Sequence, residues 1–83
     1  MTLTRTIAQA LARRNVQVNA IGPGAILFPD HYTQADIERV LANAPAGRAG
    51  SPADVARTVR FLIEGPDYIT GVLIPVDGGA SLT

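Results

Sequence analysis

Eighty-three residues make one small domain at most, and seven Arg with no Lys against seven acidic residues leave no net charge. That balance removes the electrostatic basis for nucleic-acid binding or for attachment to an anionic membrane. The absence of Cys excludes a disulfide framework, a thiolate nucleophile and a zinc ribbon, and the single His31 makes no metal site alone. Yet 47% of the residues are hydrophobic, a large share for a chain short enough to hide only about 60% of its unfolded surface. Part of that apolar surface is expected to meet a partner.

The N-terminus, Met1-Thr-Leu-Thr-Arg-Thr-Ile-Ala8, lacks the apolar stretch of a secretory signal. No apolar run approaches the roughly 18 residues of a membrane span, so the chain reads as cytoplasmic. Leu3, Ile7 and Leu11 recur at helical spacing among Ala8, Ala10 and Ala12, which predicts a helix over 2–14 with Arg13 and Arg14 at its negative end and Asn15 as its stop. The run 16–21 (VQVNAI) reads as a short strand, closed by Gly22-Pro23-Gly24. An apolar loop over 22–32, interrupted by Pro29, leads to Thr33-Gln-Ala-Asp36, a capping-box pattern that starts a second helix within 33–44.

Ser51-Pro52-Ala53-Asp54 combines an N-cap, Pro at the first helical position and an acid at the third. Val55, Val59, Leu62 and Ile63 then mark a helix over 52–63, ended by Gly65-Pro66. Residues 72–76 (VLIPV) form a nearly continuous apolar run of the kind buried in a parallel sheet, and Asp77-Gly78-Gly79 closes it. Pro75 cannot donate to a ladder, so this strand belongs at a sheet edge or turns Pro75 outward.

The order is therefore α-β-α-α-β, and two strands separated by helices imply a parallel pair with a right-handed crossover, a piece of a doubly wound α/β sheet. Two strands leave two free edges and two apolar faces. Nothing in this sequence pairs with the outer edge of 16–21, and a neighbouring strand is expected there.

Four segments carry a resemblance: Asn15-Val-Gln-Val-Asn-Ala-Ile-Gly-Pro-Gly24, Arg48-Ala-Gly-Ser-Pro-Ala-Asp54, Phe61-Leu62, and Ile69-Thr-Gly71 with Val76-Asp-Gly-Gly79. In that order and spacing they resemble the C-terminal third of a short-chain dehydrogenase/reductase. The fold class this implies is α/β, the C-terminal part of a Rossmann-like doubly wound parallel sheet, incomplete as a stand-alone domain. The two strands would be the sixth and the seventh, the latter at the edge. The family's phosphate loop, catalytic Ser and Tyr-x-x-x-Lys would lie before Met1, so no catalytic residue is expected in this chain and the 83 residues alone are expected to be inactive.

In the family the loop after the sixth strand lies along the nicotinamide of NAD or NADP. The resemblance thus places Pro23, Gly24, Ala25 and Ile26 at the cofactor in the complete enzyme, with backbone groups at Ile26 holding the carboxamide. Gly24 removes a Cβ that would keep the backbone away from a ligand. Phe28 stands where the family commonly has Thr, and Pro23 to Asp30 is similar to the pteridine reductase branch, where an aromatic occupies that place. Phe28 is either a wall that stacks on a pterin ring or ordinary packing.

Other candidates are weaker. Gly22-x-Gly24-x-x-Leu27 fails the dinucleotide fingerprint at its third glycine. Asp30, His31 and Tyr32 can exchange protons but read as a solvated loop. Arg48 is either an anchor for an acidic substrate tail or one half of a surface ion pair, and Asp77-Gly78-Gly79 is a tight turn supporting the edge strand.

The leading expectation is thus part of an NAD(P)-dependent reductase of a carbonyl or pterin-like substrate. It would supply the nicotinamide-side loop, a substrate lid and subunit contacts, and its partners would be the missing N-terminal part or full-length subunits of a homo-oligomer, with no nucleic acid and no membrane. The alternative is a catalytically inactive oligomerisation or interaction module.

Overall fold

Helix α1, Thr2–Leu11, opens the computed structural model, which describes residues 2–82. Its last expected turn tightens into a 3-10 turn over Ala12–Arg14. Asn15 then takes a left-handed conformation (φ 59°) and returns its N–H to the Ala12 carbonyl at 3.0 Å, which ends the helix. Of the helix only Ala8 is buried, at 3% exposure, and a Cβ on Gly71 would stand 3.4 Å from the Ala8 methyl.

Strand β1, Ala20–Pro23, pairs in parallel with β2, Leu73–Val76, in the register Ala20 to Leu73 and Pro23 to Val76. The first strand was expected over 16–21 and the loop from 22; instead the strand starts at Ala20 and takes in Gly22 and Pro23. Side chains explain the late start. The Val18 N–H donates to Thr70 Oγ1 (3.0 Å), and Asn19 Nδ2 donates to the Ile69 carbonyl (3.0 Å) while Asn19 Oδ1 accepts from the Val72 N–H (3.2 Å). Gln17 Nε2 reaches the Asp67 carbonyl at 2.7 Å. These bonds satisfy the segment 69–72 without a regular ladder. The Gly71 N–H reaches the Val18 carbonyl at 2.8 Å with φ 79°, a conformation glycine adopts without strain.

Pro23 is tolerated because of the alternation of a parallel ladder. Ala20 donates to Val72 at 2.9 Å and Gly24 to Val76 at 3.0 Å, so even-numbered residues of β1 turn their N–H groups toward β2 and position 23 turns away. The same alternation turns Leu73 and Pro75 away from β1. Neither proline is asked for a donor within the pair.

Helix α2, Gln34–Ala42, begins with a reciprocal capping box: the Asp36 N–H donates to Thr33 Oγ1 at 3.1 Å and the Thr33 N–H to the Asp36 carboxylate at 2.9 Å. Helix α3, Pro52–Glu64, packs on β1 and half-buries Val55, Thr58 and Leu62. The Gly65 N–H closes it on the Phe61 carbonyl at 2.7 Å, and a Cβ at residue 65 would collide with that same oxygen.

Helices thus flank a parallel pair, a partial doubly wound sheet with very little core. Ala8 and Ala44 are the buried apolar residues among those described, and no large side chain is fully buried. The accessible surface is 6191 Å², against about 4,700 Å² for a compact monomer of this mass. The radius of gyration is 15.5 Å, against about 12 Å for a compact chain of this length. Leu3, Leu27, Ile63 and Tyr68 are each more than seven-tenths exposed.

Because Asn19 bonds both a donor and an acceptor of the 69–72 segment, Asn19→Ala is expected to lower stability by about 2 kcal/mol. Chemical denaturation of the protein, comparing midpoints at unchanged slope, measures it; a shift below about 0.5 kcal/mol would show that water replaces those bonds.

Candidate functional site

The strands end side by side, and the segments that follow them, beginning at Gly24 and Asp77, leave the sheet together. Ligands of doubly wound sheets bind at such carboxyl ends. Gly24 is pressed against this neighbour. A Cβ at residue 24 would stand 2.8 Å from both Cα and Cβ of Asp77, so the residue is glycine first because two backbones touch there. The absent Cβ expected to make room for a ligand therefore also makes room for Asp77.

Pro23, the last residue of β1, and Gly24 are exposed, whereas Ala25 and Ile26 are half-buried. The Ala25 carbonyl accepts from the Gly50 N–H at 3.0 Å, which ties the loop to the start of α3. Ile26 Cδ1 lies 2.7 Å from where a Cβ on Gly50 would be. Among the described residues neither the N–H nor the carbonyl of Ile26 has a hydrogen-bond partner. One free donor beside one free acceptor is the set that a primary carboxamide complements.

The Asp77 carboxylate closes the second segment. It accepts from the Gly79 N–H and the Ser81 N–H, each at 3.0 Å, around Gly78 and Gly79 with φ 60° and 91°. Burial pushes this carboxyl up, but the Ser81 hydroxyl and the two amides outweigh it and hold the group below its ordinary value of 3.8. At α3 the Asp54 carboxylate accepts from the Ser51 N–H at 2.8 Å and the Ser51 hydroxyl at 3.3 Å. The Ser51 amide is the main cause that lowers the Asp54 carboxyl; burial opposes it, and the Ser51 hydroxyl and the charges of Arg48 and Arg57 assist.

A cavity of about 450 Å³ opens between α2, the start of α3 and the end of β2, with Ala25, Val40, Asn43, Arg48, Asp54 and Asp77 among its walls. Arg48 donates to the Ala49 carbonyl at 3.2 Å, and among the described residues no carboxylate lies at ion-pair distance from it.

Phe28 stands apart from this cavity. It is half-buried, its ring 6.1 Å from that of Tyr32 and tilted by 41°, while exposed His31 meets Tyr32 edge-on at 5.2 Å. The structure therefore brings Pro23 to Ile26 together with the Arg48–Asp54 and Asp77–Gly79 segments and leaves the aromatic cluster separate. Among the described residues no three His, Cys, Asp or Glu converge to hold a metal, and no helix is long and apolar enough to cross a membrane.

Two features of this site are not legible in the sequence, the packing of Gly50 and the carboxylate clamp inside the Asp77 turn. Gly50 was hidden because a glycine before an N-cap reads as punctuation, and the double clamp of Asp77 because its second amide, that of Ser81, lies four residues on. The run Asp77-Gly-Gly-Ala-Ser81 was the available signal for the latter.

A family model described as enoyl-(acyl carrier protein) reductase, of the short-chain dehydrogenase/reductases, matches residues 1–81. The chain belongs to the short-chain dehydrogenase/reductase family. It is 42% identical over 79 residues to carbonyl reductase family member 4 of Danio rerio, covering 95% of this chain and 32% of that protein. It is 45% identical over 78 residues to a 3-oxoacyl-[acyl-carrier-protein] reductase of Synechocystis, covering 92% and 31%, and 40% identical over 80 residues to the one of Thermotoga maritima, covering 93% and 32%. The chain spans about a third of the length of these curated relatives.

Both lowered carboxylates link the site to pH. Each is ionised more readily when folded than when unfolded, so its contribution to stability is complete above the ordinary value of 3.8 and falls away as the pH drops through the lower folded value. Melting temperature measured across the acid range should therefore fall from about pH 4 downward. Asp77→Asn should flatten that limb, and an unchanged limb would show that the clamp does not persist in solution.

Proposed function

We propose that this chain forms the nicotinamide-side wall and substrate lid of an NAD(P)-dependent reductase acting on a carbonyl group. The observation that carries this reading is Ile26: a half-buried residue at the carboxyl end of a parallel strand, with a donor and an acceptor both unpartnered. The bound nicotinamide would supply the hydride. Ile26 would hold its carboxamide by two backbone hydrogen bonds, which fixes the face the ring presents. Pro23 and Gly24 would pass beneath the ring without bulk, and Ala25, tied to Gly50, would keep the loop from drifting. The family relatives named for carbonyl and 3-oxoacyl substrates support a carbonyl as the reducible group. The proton donor and the phosphate cradle would come from elsewhere in the enzyme.

A second reading of the substrate rests on Phe28. Its contact with Tyr32 leaves it half-exposed beside the proposed cofactor loop, and an aromatic face there would stack on a pterin-like ring. The exposed Leu3, Leu27, Phe61 and Ile63 support burial against the remainder of a reductase domain and a neighbouring subunit.

Fluorescence titration of the full-length protein with NADPH is expected to saturate, and turnover is expected with a 3-oxoacyl thioester. Phe28→Ala should raise the KM of the substrate by about threefold to tenfold, the worth of one aromatic contact, while leaving the cofactor Kd unchanged. Preferential reduction of a dihydropterin would establish the second reading. A full-length protein without saturable NADPH or NADH binding would overturn both and leave an interaction module.

A further inference from the structure

We propose that Gly50 is a positioning residue for the cofactor loop, setting the height at which the Ile26 backbone stands; this rests on the function proposed above. Three observations converge on it. Its N–H donates to the Ala25 carbonyl at 3.0 Å, one residue before the unpartnered groups of Ile26. Its Cα face is closed in, for a Cβ there would lie 2.7 Å from Ile26 Cδ1 and 3.3 Å from Asp54 Oδ2. And it is absent from the glycines with positive φ, so the position needs smallness and not glycine's conformational freedom.

The wall behind Gly50 is fixed. Asp54 sits in the first turn of α3, its carboxylate held by the Ser51 N–H at 2.8 Å and the Ser51 hydroxyl at 3.3 Å. α3 in turn packs on β1, the strand that feeds the loop. A chain of contacts thus runs from β1 through α3 and Gly50 back to Ala25 and Ile26, and it closes a ring around the candidate site. The Arg48–Asp54 motif thereby acquires a role beyond starting a helix: it measures the distance between the helix and the loop.

An added methyl at Gly50 has one yielding neighbour. Asp54 is pinned, so the added methyl pushes on Ile26, a half-buried side chain, and the displacement falls on the loop side and not on the helix. Displacements of this kind at a site far from the reacting atoms weaken function more than they weaken the fold. Gly50→Ala in the full-length protein is therefore expected to raise the NADPH Kd, read by fluorescence titration, about tenfold. The melting temperature should move by no more than about 4 °C, and kcat at saturating cofactor by less than about twofold.

Deleting the obstructing Cδ1 supplies the decisive variant. Gly50→Ala combined with Ile26→Val is expected to bind NADPH within about threefold of Ile26→Val alone, a coupling that two independent losses would not show. An unchanged Kd in Gly50→Ala, or a weakened Kd that Ile26→Val does not recover, would overturn the positioning role while leaving the cofactor reading intact. Loss of the cooperative melt in Gly50→Ala would make the residue a requirement for folding and overturn it equally. A wild-type protein without saturable binding would remove the cofactor reading and this inference with it.

Discussion

Everything at the candidate site hangs on the contact between Gly24 and Asp77. Two segments separated by more than fifty positions meet there with no side chain between them, the Gly24 N–H bonded to the Val76 carbonyl at 3.0 Å. That approach fixes the parallel register at its carboxyl end, and the register decides where both outgoing segments start. The Asp77 carboxylate then turns its own segment by holding two amides, and Gly50 holds the other by the Ala25 carbonyl. The loop is thus held at both ends by a backbone hydrogen bond, Gly24 to Val76 and Gly50 to Ala25, each beside a glycine with no room for a Cβ.

Local chemistry made much of this legible. The two helix starts followed from Thr33 with Asp36 and from Ser51 with Pro52 and Asp54, because caps act over three residues and are written contiguously. Asn15 as a stop and the outward Pro75 were legible for the same reason. The beginning of β1 was not. Its lead-in, 16–19, has the β-branched pattern of a strand, but Asn19 and Thr70 replace ladder bonds with side-chain bonds to residues some fifty positions away. Periodicity carries no trace of such a partner. Gly22 and Pro23 looked like an end because turn residues usually are one; in a parallel ladder every second position needs no donor, and Pro23 occupies one of those.

At the site, the motif around Gly24 suggested one reason for its glycine, room for a ligand, and the structure adds another, the contact with Asp77. The contact that demands it is tertiary, and a single sequence shows a small residue without showing what crowds it. Gly50 was obscure on the same ground. Phe28 and His31 were visible as unusual residue types, and the structure gathers them with Tyr32 outside the cavity that Arg48 and Asp77 line.

The two prolines of the sheet have a bearing on how this surface behaves during folding. Of the positions turned outward, β1 has Ile21 and Pro23 and β2 has Leu73 and Pro75, so each outer edge offers one amide where a four-residue strand would ordinarily offer two. An extended segment of another chain that tries to lengthen the sheet meets an interrupted row of donors on either side. A nascent domain with this much uncovered apolar surface is exposed to indiscriminate strand addition, and the prolines blunt it while leaving the faces open to side-chain packing.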